Sequence, residues 1–224
     1  MDPVTALRRI AFLLEADRAP TYRVTAFRRA AAIVEALDPA ELARRVRAGS
    51  LTGLKGIGET TATVIAQAAR GEVPEYLARL QAQAPERPEE AAELVAAQRG
   101  DLHAHTDWSD GGSPIGEMAA AATELGHEYL AVTDHSPRLT VAGGLSAERL
   151  AEQLAVIAEH NEAGVGVHLL TGIECDILAD GGLDQTPQLL DELDVVVASV
   201  HSDLRADPAT MTRRMLTAIA NPAT

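Results

Sequence analysis

The sequence predicts an α/β protein in two parts, an all-α domain over residues 1–80 and an incomplete βα barrel over residues 100–224. Apolar residues recur at helical spacing in the first part, whereas short apolar runs alternate with helical runs in the second. Residues 1–80 carry 12 basic and 9 acidic side chains, and residues 81–224 carry 7 basic and 24 acidic ones. This split suggests two modules with different partners, although a gradual drift of charge along the chain would give the same counts.

The composition is that of an ordinary globular protein, with 224 residues, 46% apolar residues and a net charge of -14. No apolar run reaches the roughly 18 residues that a membrane span needs, and the N-terminus has no secretory signal. The single cysteine, Cys175, excludes an internal disulfide and is typical of a reducing compartment. We therefore expect a cytoplasmic protein without a membrane partner. Aromatic residues make up only 3% of the chain, which argues against a platform for stacking bases.

The helices of the first part follow from apolar spacing and from capping residues. Asp38 before Pro39 is typical of a helix start, and Gly49 is typical of a helix end. A first helix is predicted from Val4 onward, with Pro20 ending its pattern, a second over residues 25–37 and a third over residues 39–48. A fourth is predicted to begin after Gly58 and to end near Gly71, and a short one follows Pro74. Residues 81–99 are predicted to be a linker, in which a segment rich in proline and glutamate leads into a helix ending near Ala97.

The second part has the pattern of parallel βα units. Strands are predicted over residues 101–105, 129–133, 168–175 and 195–200. Helices are predicted over residues 114–125, 147–162, 186–192 and 208–220. Strands that alternate with helices are typical of a parallel sheet. A closed βα barrel usually needs about 200 residues or more. We therefore expect a barrel truncated after about four βα units, or an open edge that something else covers.

Each predicted strand ends in a residue type that binds metal ions. His103 and His105 are two positions apart on the first strand and therefore face the same side. The next three strands end in His135, Glu174 and His201. Loops converge and carry function at the carboxyl ends of βα barrel strands. A single histidine there would most often be structural, but ligands on four successive strands favour a metal centre.

These side chains and Asp110, in the loop after the first strand, outnumber the ligands of one tetrahedral site. We therefore predict two or three divalent ions of zinc, manganese or iron, with Glu174 bridging two of them. Clustered divalent ions activate water and stabilise the charge that develops during displacement at phosphorus. Glu174 and Asp110 are the candidate catalytic carboxylates. The ions would also allow a phosphate to approach the acidic half of the chain.

Residues 100–224 resemble the front part of a polymerase-and-histidinol-phosphatase (PHP) domain. The matching motifs are His103-Ala-His105, Ser109-Asp110-Gly111, Thr133-Asp134-His135-Ser136, Gly172-Ile-Glu174 and Ser199-Val-His201-Ser202. The resemblance implies a distorted (β/α)7 barrel that hydrolyses phosphate esters, either of small molecules or at nucleic-acid ends. It also implies three metal sites, held by His103, His105 and Glu174, by Asp110 and His135, and by Glu174 and His201.

The family also supplies ligands beyond the fourth strand, namely a His after the fifth strand and then an Asp-x-His pair. The resemblance therefore implies either that the natural protein continues past Thr224 or that these residues are an inactive fragment. Asp134 is expected to support the site rather than to bind metal. His127, His160 and His168 are not at the carboxyl ends of strands, and we expect them to be structural.

A second motif, residues 54–62, has the pattern of a helix-hairpin-helix turn. Gly56 and Gly58 allow a tight turn that presents backbone N–H groups to a phosphate. Such contacts bind the nucleic-acid backbone without reading its sequence. Together with Lys55 and Thr60, these glycines form a candidate DNA-binding turn, although plain helix capping would use the same residues.

Residues 21–31 and this turn together resemble the N-terminal domain of family X DNA polymerases. Arg23 and Arg28 in this stretch either contact DNA phosphates or belong to a solvated helix face. No nucleotidyl-transfer segment fits between the two parts, so the resemblance is to a bacterial family X polymerase without its polymerase core. The family's Schiff-base lysine is replaced, with Thr60 and Val64 at the nearby positions, so we expect no lyase activity.

Three functions are compatible with these patterns. The first is a metal-dependent phosphoesterase that acts on DNA, of the 3'-5' exonuclease or of the abasic-site or end-processing type. The second is a small-molecule phosphatase of the histidinol-phosphate kind. The third is a DNA-binding fragment without catalytic activity. The helix-hairpin-helix motif favours the first function over the second.

Overall fold

A computed structural model describes residues 1–83 and 89–224 of the chain. The chain divides into two compact units, Met1–Pro88 and Glu89–Thr224, named here the helical unit and the α/β unit. Residues 84–88 of the predicted linker lie outside the described residues. Within the described residues, no helix is both long enough and apolar enough to cross a membrane.

The helical unit packs its helices around one apolar core. The helices are α1 (Pro3–Ala16), α2 (Thr21–Glu35), α3 (Pro39–Ala48), α4 (Glu59–Ala69) and α5 (Glu75–Gln83), and a 3-10 turn spans Leu51–Gly53. Leu7, Ile10 and Leu14 recur every three or four residues on α1 and are buried. Because these apolar residues share one face, α1 packs against α2, α4 and α5 at the centre of the unit.

Local signals set the ends of these helices. The Asp38 side chain accepts a hydrogen bond from the backbone N–H of Ala40 at 2.8 Å, and Gly49 ends α3 with a φ of 63°. Helix α2 begins at Thr21, earlier than the predicted residue 25. The earlier start follows from Pro20, which lies in an extended conformation directly before the helix, and from Val24, which extends the buried stripe by one turn.

The α/β unit contains a parallel four-stranded sheet in the order β1-β2-β3-β4. The strands are β1 (Gly100–Ala104), β2 (Tyr129–Val132), β3 (His168–Asp176) and β4 (Val195–Ser199). The helices are α6 (Glu89–Ala97), α7 (Ile115–Glu124), α8 (Ala147–Ala163), α9 (Pro187–Leu190) and α10 (Pro208–Ile219). The predicted fold class, α/β with an all-α domain followed by parallel βα units, is confirmed.

The sheet topology brings the candidate ligands together. Successive strands are neighbours and run in the same direction, so their carboxyl ends lie along one edge of the sheet. Along β3, Ile173 and Cys175 are buried in an apolar cluster, and Glu174 between them faces the opposite side. Backbone pairing continues past β2, where the Ser136 N–H donates to the Glu174 carbonyl at 3.0 Å. This pairing fixes His135 beside Glu174.

Candidate metal centre

Four imidazole rings and one carboxylate meet at the carboxyl ends of the four strands. The rings form a continuous row in which His103 and His105 are 5.1 Å apart between centroids, His105 and His135 are 4.4 Å apart, and His135 and His201 are 5.2 Å apart. Each of the four strands contributes at least one member of the group. The structure therefore places the histidines that the strand-end pattern singled out in one cluster.

Glu174 lies at the centre of this row. Its Oε2 is 3.6 Å from His103 Nε2, 3.2 Å from His105 Nε2 and 3.1 Å from His135 Nδ1. Its Oε1 is 3.4 Å from His201 Nε2. The two oxygens thus face different histidines, which is the geometry that a bridging carboxylate needs. The side chain is only 10% exposed, so bulk water contributes little to its solvation.

Asp110 reaches the group from the loop after β1. Its Oδ1 is 3.1 Å from His105 Nδ1, and its Oδ2 is 3.5 Å from His135 Nε2. The carboxylate is half exposed, in contrast to Glu174. It is therefore the member of the group that water and a substrate can reach most easily.

The ligand atoms form three overlapping groups, and the atoms within each group lie within 4.8 Å of one another. The groups are His103, His105 and Glu174; His105, Asp110 and His135; and His135, Glu174 and His201. Compared with the sets that the family resemblance implies, the structure adds His105 to the second group and His135 to the third. A histidine shared by two groups can serve only one ion through a given nitrogen, so the groups are not three independent sites.

The spacing and the hydrogen bonding of these residues fit divalent ions. Two ligand atoms bound to one tetrahedral ion at about 2.0–2.1 Å lie roughly 3.3 Å apart. In the first group the three separations among His103 Nε2, His105 Nε2 and Glu174 Oε2 are 3.0, 3.2 and 3.6 Å. The Nδ1 atoms of His105 and His135 are buried and have no hydrogen-bond partner in the described part of the chain, although carboxylate oxygens are 3.1 Å away. A cation between the nitrogens and the carboxylates would satisfy both.

Burial also favours the metal-binding form of His135. Desolvation lowers the pKa of its imidazole, and the nearby Glu174 carboxylate opposes this effect only in part. A lowered pKa keeps the ring neutral at physiological pH, and a neutral ring has the lone pair that a metal ion requires.

Asp134 supports the loop that carries Asp110. It is buried and accepts hydrogen bonds from the Thr106 N–H at 2.8 Å, the Thr106 hydroxyl at 2.6 Å, the Gln153 amide at 2.6 Å and the Ser109 hydroxyl. The expected supporting role agrees with this geometry. Gln153 was not predicted as a partner of Asp134, because it lies in the middle of α8 and the sequence contains no local signal that connects it to the loop.

A further carboxylate, Asp176, was also missed. Its Oδ1 is 2.5 Å from His201 Nδ1, and its side chain is buried. The period of two along β3 places Asp176 on the same face as Glu174. This spacing was the available signal, because a carboxylate two residues from a ligand on a strand faces the same site.

The helical unit places the candidate DNA-binding residues in two settings. Lys55, Gly56, Gly58 and Thr60 are exposed in and beside the turn before α4. A side chain at Gly56 would be strained, because its φ is +100° and a Cβ atom would come within 2.8 Å of the Ile33 side chain. The turn is also a helix cap, since the Gly58 N–H donates to the Thr61 hydroxyl at 3.0 Å.

The two candidate arginines have partners inside the helical unit. Arg23 donates a hydrogen bond to the Tyr76 hydroxyl at 2.5 Å. Arg28 forms an ion pair with Glu15 at 2.5 Å. Contact with a phosphate would have to compete with these interactions, whereas Lys55 is exposed.

Both parts of the chain match models of known protein families. Residues 101–219 match the model of the PHP domain, and residues 1–72 match the model of a helix-hairpin-helix domain. The chain is 45% identical over 123 residues to the DNA polymerase/3'-5' exonuclease PolX of Bacillus subtilis, a match that covers 55% of this chain and 22% of that protein.

Two other bacterial proteins match a share of this chain that is similar to the share matched by PolX. A probable phosphatase of Acetivibrio thermocellus is 36% identical over 127 residues, which is 54% of this chain and 50% of that protein. The probable phosphatase YcdX of Escherichia coli is 32% identical over 127 residues, which is 54% of this chain and 49% of that protein. The matches thus span about a fifth of the first relative and about half of the other two. The match to the domain model extends over more than half of the chain, which therefore belongs to the PHP domain family.

Proposed function

We propose that the α/β unit is the metal-binding part of a phosphoesterase that hydrolyses phosphate esters of DNA. The observation that carries this proposal is the position of Glu174, whose two oxygens face histidines from different strands at 3.1–3.6 Å. The relatives named as exonuclease and as phosphatases are the second support.

The proposed ligand sets are those that the family resemblance implies, and the members of each set lie together in one of the three groups described above. His103, His105 and Glu174 would hold one ion, Asp110 and His135 a second, and Glu174 and His201 a third. Bound divalent ions supply a Lewis acid for the phosphoryl oxygens and lower the pKa of the attacking water. Zinc, manganese and iron all suit imidazole together with carboxylate.

The protein's own residues orient the reaction. Glu174 fixes the spacing of the site, because it contacts residues from the other three strands. Asp110 is half exposed, so an oxygen of its carboxylate that is not bound to an ion would be able to accept the proton that the attacking water releases. The products are a phosphate or phosphomonoester and the alcohol that leaves when the P–O bond breaks.

DNA is the proposed substrate class because residues 1–72 match a helix-hairpin-helix domain. The exposed Lys55 and the backbone at Gly56 and Gly58 would bind phosphates, and the 12 basic side chains of residues 1–80 favour a polyanion. Cleavage from a 3' end, or at an abasic site, is the proposed reaction. A small phosphomonoester is the second candidate substrate, which the resemblance to probable phosphatases favours.

The test compares the two substrate classes on one preparation. The chain is loaded with Mn²⁺ or Zn²⁺ and incubated with end-labelled DNA and, separately, with p-nitrophenyl phosphate and histidinol phosphate. We expect release of mononucleotides from DNA, its loss on chelation, and its loss in Glu174→Gln. Turnover of the small esters without DNA cleavage would favour the phosphatase. Bound metal with no hydrolysis of either substrate would contradict the enzymatic proposal and leave DNA binding alone.

A further inference from the structure

The buried carboxylate of Asp176 has no part in the mechanism proposed above. It lies at the end of β3, two residues after Glu174, and its side chain is only 7% exposed. Its Oδ1 lies 2.5 Å from His201 Nδ1, which is the short distance of a charge-assisted hydrogen bond. Asp176 is in none of the three groups whose atoms could hold an ion together. Its contact is with His201, which is one of the candidate ligands.

This contact decides which nitrogen of His201 is free. A neutral imidazole carries one N–H, and a carboxylate can only accept a hydrogen bond. With the proton on Nδ1 and donated to Asp176, the lone pair of His201 lies on Nε2. That atom is 3.4 Å from Glu174 Oε1, on the side where an ion would bind. In that arrangement the ring would have the tautomer that metal binding through Nε2 requires.

A neighbouring hydroxyl would support the opposite tautomer if Asp176 were absent. Ser199 Oγ lies 3.2 Å from His201 Nε2 and can accept a hydrogen bond from a proton on that nitrogen. With the proton on Nε2, the lone pair would point away from Glu174. The carboxylate of Asp176 is therefore needed to keep the proton on Nδ1.

The segments that carry this pair are held in place from two sides. The Asp176 N–H donates to the Ser136 hydroxyl at 2.9 Å, and its carbonyl accepts from the Asp184 N–H at 3.0 Å. Arg214, which is buried, donates to the Leu178 carbonyl at 2.9 Å and to the Ser202 carbonyl at 2.8 Å. This guanidinium ties the segment after Asp176 to the segment after His201. Both partners of the hydrogen bond therefore start from fixed backbones.

We propose that Asp176 is a positioning residue, which holds His201 in the Nδ1–H tautomer and aims Nε2 at the metal centre. The inference rests on the proposed function, because it assigns the partner of one proposed ligand. Carboxylates that accept from ligating histidines typically raise metal affinity by about 10- to 100-fold.

The first test reads the tautomer directly and needs neither metal nor substrate. NMR of the ¹⁵N-histidine-labelled chain, free of metal and at mildly alkaline pH where imidazoles are neutral, distinguishes protonated from unprotonated ring nitrogens. We expect His201 to carry its proton on Nδ1, and Asp176→Ala to shift it toward Nε2. A His201 ring protonated on Nε2 in the unmodified chain would overturn the inference, whether or not the variant folds.

The second test titrates the metal-free chain with Mn²⁺ or Zn²⁺ by calorimetry. Asp176→Ala should weaken one class of site by about 10- to 100-fold, and Asp176→Asn, whose amide oxygen can still accept from Nδ1–H, should weaken it less. Asp194→Asn is the matched control, because it changes a carboxylate of the same unit that accepts hydrogen bonds from Thr171 instead of from a histidine. Unchanged affinity in Asp176→Ala would overturn the inference. Normal tautomers and metal binding without hydrolysis would instead contradict the proposed function alone.

Discussion

Removal of the Asp134 carboxylate should destabilise the α/β unit more than most single substitutions do. Four donors converge on this buried side chain, from Thr106 (two), Ser109 and Gln153. The two hydroxyls can rotate toward other acceptors, but the Thr106 N–H and the Gln153 amide would lose a partner in a buried setting. A buried donor without an acceptor costs about 1–3 kcal/mol. Two such donors add up, so we expect Asp134→Ala to lower the free energy of unfolding by about 2–6 kcal/mol.

Asp134→Asn should cost much less, about 1–2 kcal/mol. Its amide oxygen keeps one pair of donors, and its amide nitrogen can donate to Gln153, whose Oε1 is buried without a hydrogen-bond partner in the described structure. The contrast between the two variants separates the loss of acceptors from the loss of charge.

Urea unfolding followed by tryptophan fluorescence measures the free energy of unfolding of the α/β unit. Trp108 is the only tryptophan of the chain, and it lies in the loop that Asp134 holds. Asp107→Ala is the matched control, because Asp107 is an exposed carboxylate of the same loop. We expect this control to stay within about 0.5 kcal/mol of the unmodified chain. An Asp134→Ala variant that is equally stable would refute the reasoning.

Three further predictions concern the metal centre, the core and the helix-hairpin-helix turn. Glu174→Gln should lower the number of bound divalent ions measured by mass spectrometry, because an amide cannot bridge two ions as a carboxylate does. The control Glu192→Gln, which changes an exposed glutamate, should leave that number unchanged. Burial raises the pKa of Cys175 to about 12. At neutral pH a thiol reagent should therefore modify this cysteine only as fast as the α/β unit opens. Rapid labelling of the folded chain would contradict this expectation. Lys55→Ala should weaken DNA binding. It should also lower by about one the number of ions released on binding, which is read from the slope of the logarithm of the binding constant against the logarithm of the salt concentration. An equal effect of Arg47→Ala, an exposed residue of α3, would show that only the total charge matters.

The sheet and most of the ligand cluster were predictable because both depend on local patterns. Apolar runs set the strands, and the period of two places Ile173 and Cys175 on one face and Glu174 on the other. In a parallel sheet the carboxyl ends of the strands lie along one edge. Because β2 and β3 are neighbours in this sheet, His135 and Glu174 lie beside each other. Residues that act through such regular geometry can be inferred from sequence alone.

The supporting residues were not predictable in the same way. Arg214 is buried in α10, although arginine is almost always exposed, and its hydrogen bonds to carbonyl groups depend on how two loops approach each other. Gln153 contacts Asp134 across the fold from α8. Arg23 and Arg28 look free in the sequence but have partners in the structure, since Tyr76 and Glu15 come from other helices. Such contacts between distant segments follow only from the packed fold.

The most direct test of the account locates divalent ions in crystals of the chain grown with Mn²⁺ or Zn²⁺, by anomalous scattering. We expect at least two ions that share Glu174, with ligand distances of about 2.0–2.2 Å to histidine nitrogens and carboxylate oxygens of the cluster. Ions bound elsewhere, or an empty cluster in crystals that hold the metal at other sites, would contradict the assignment of these residues as a metal centre.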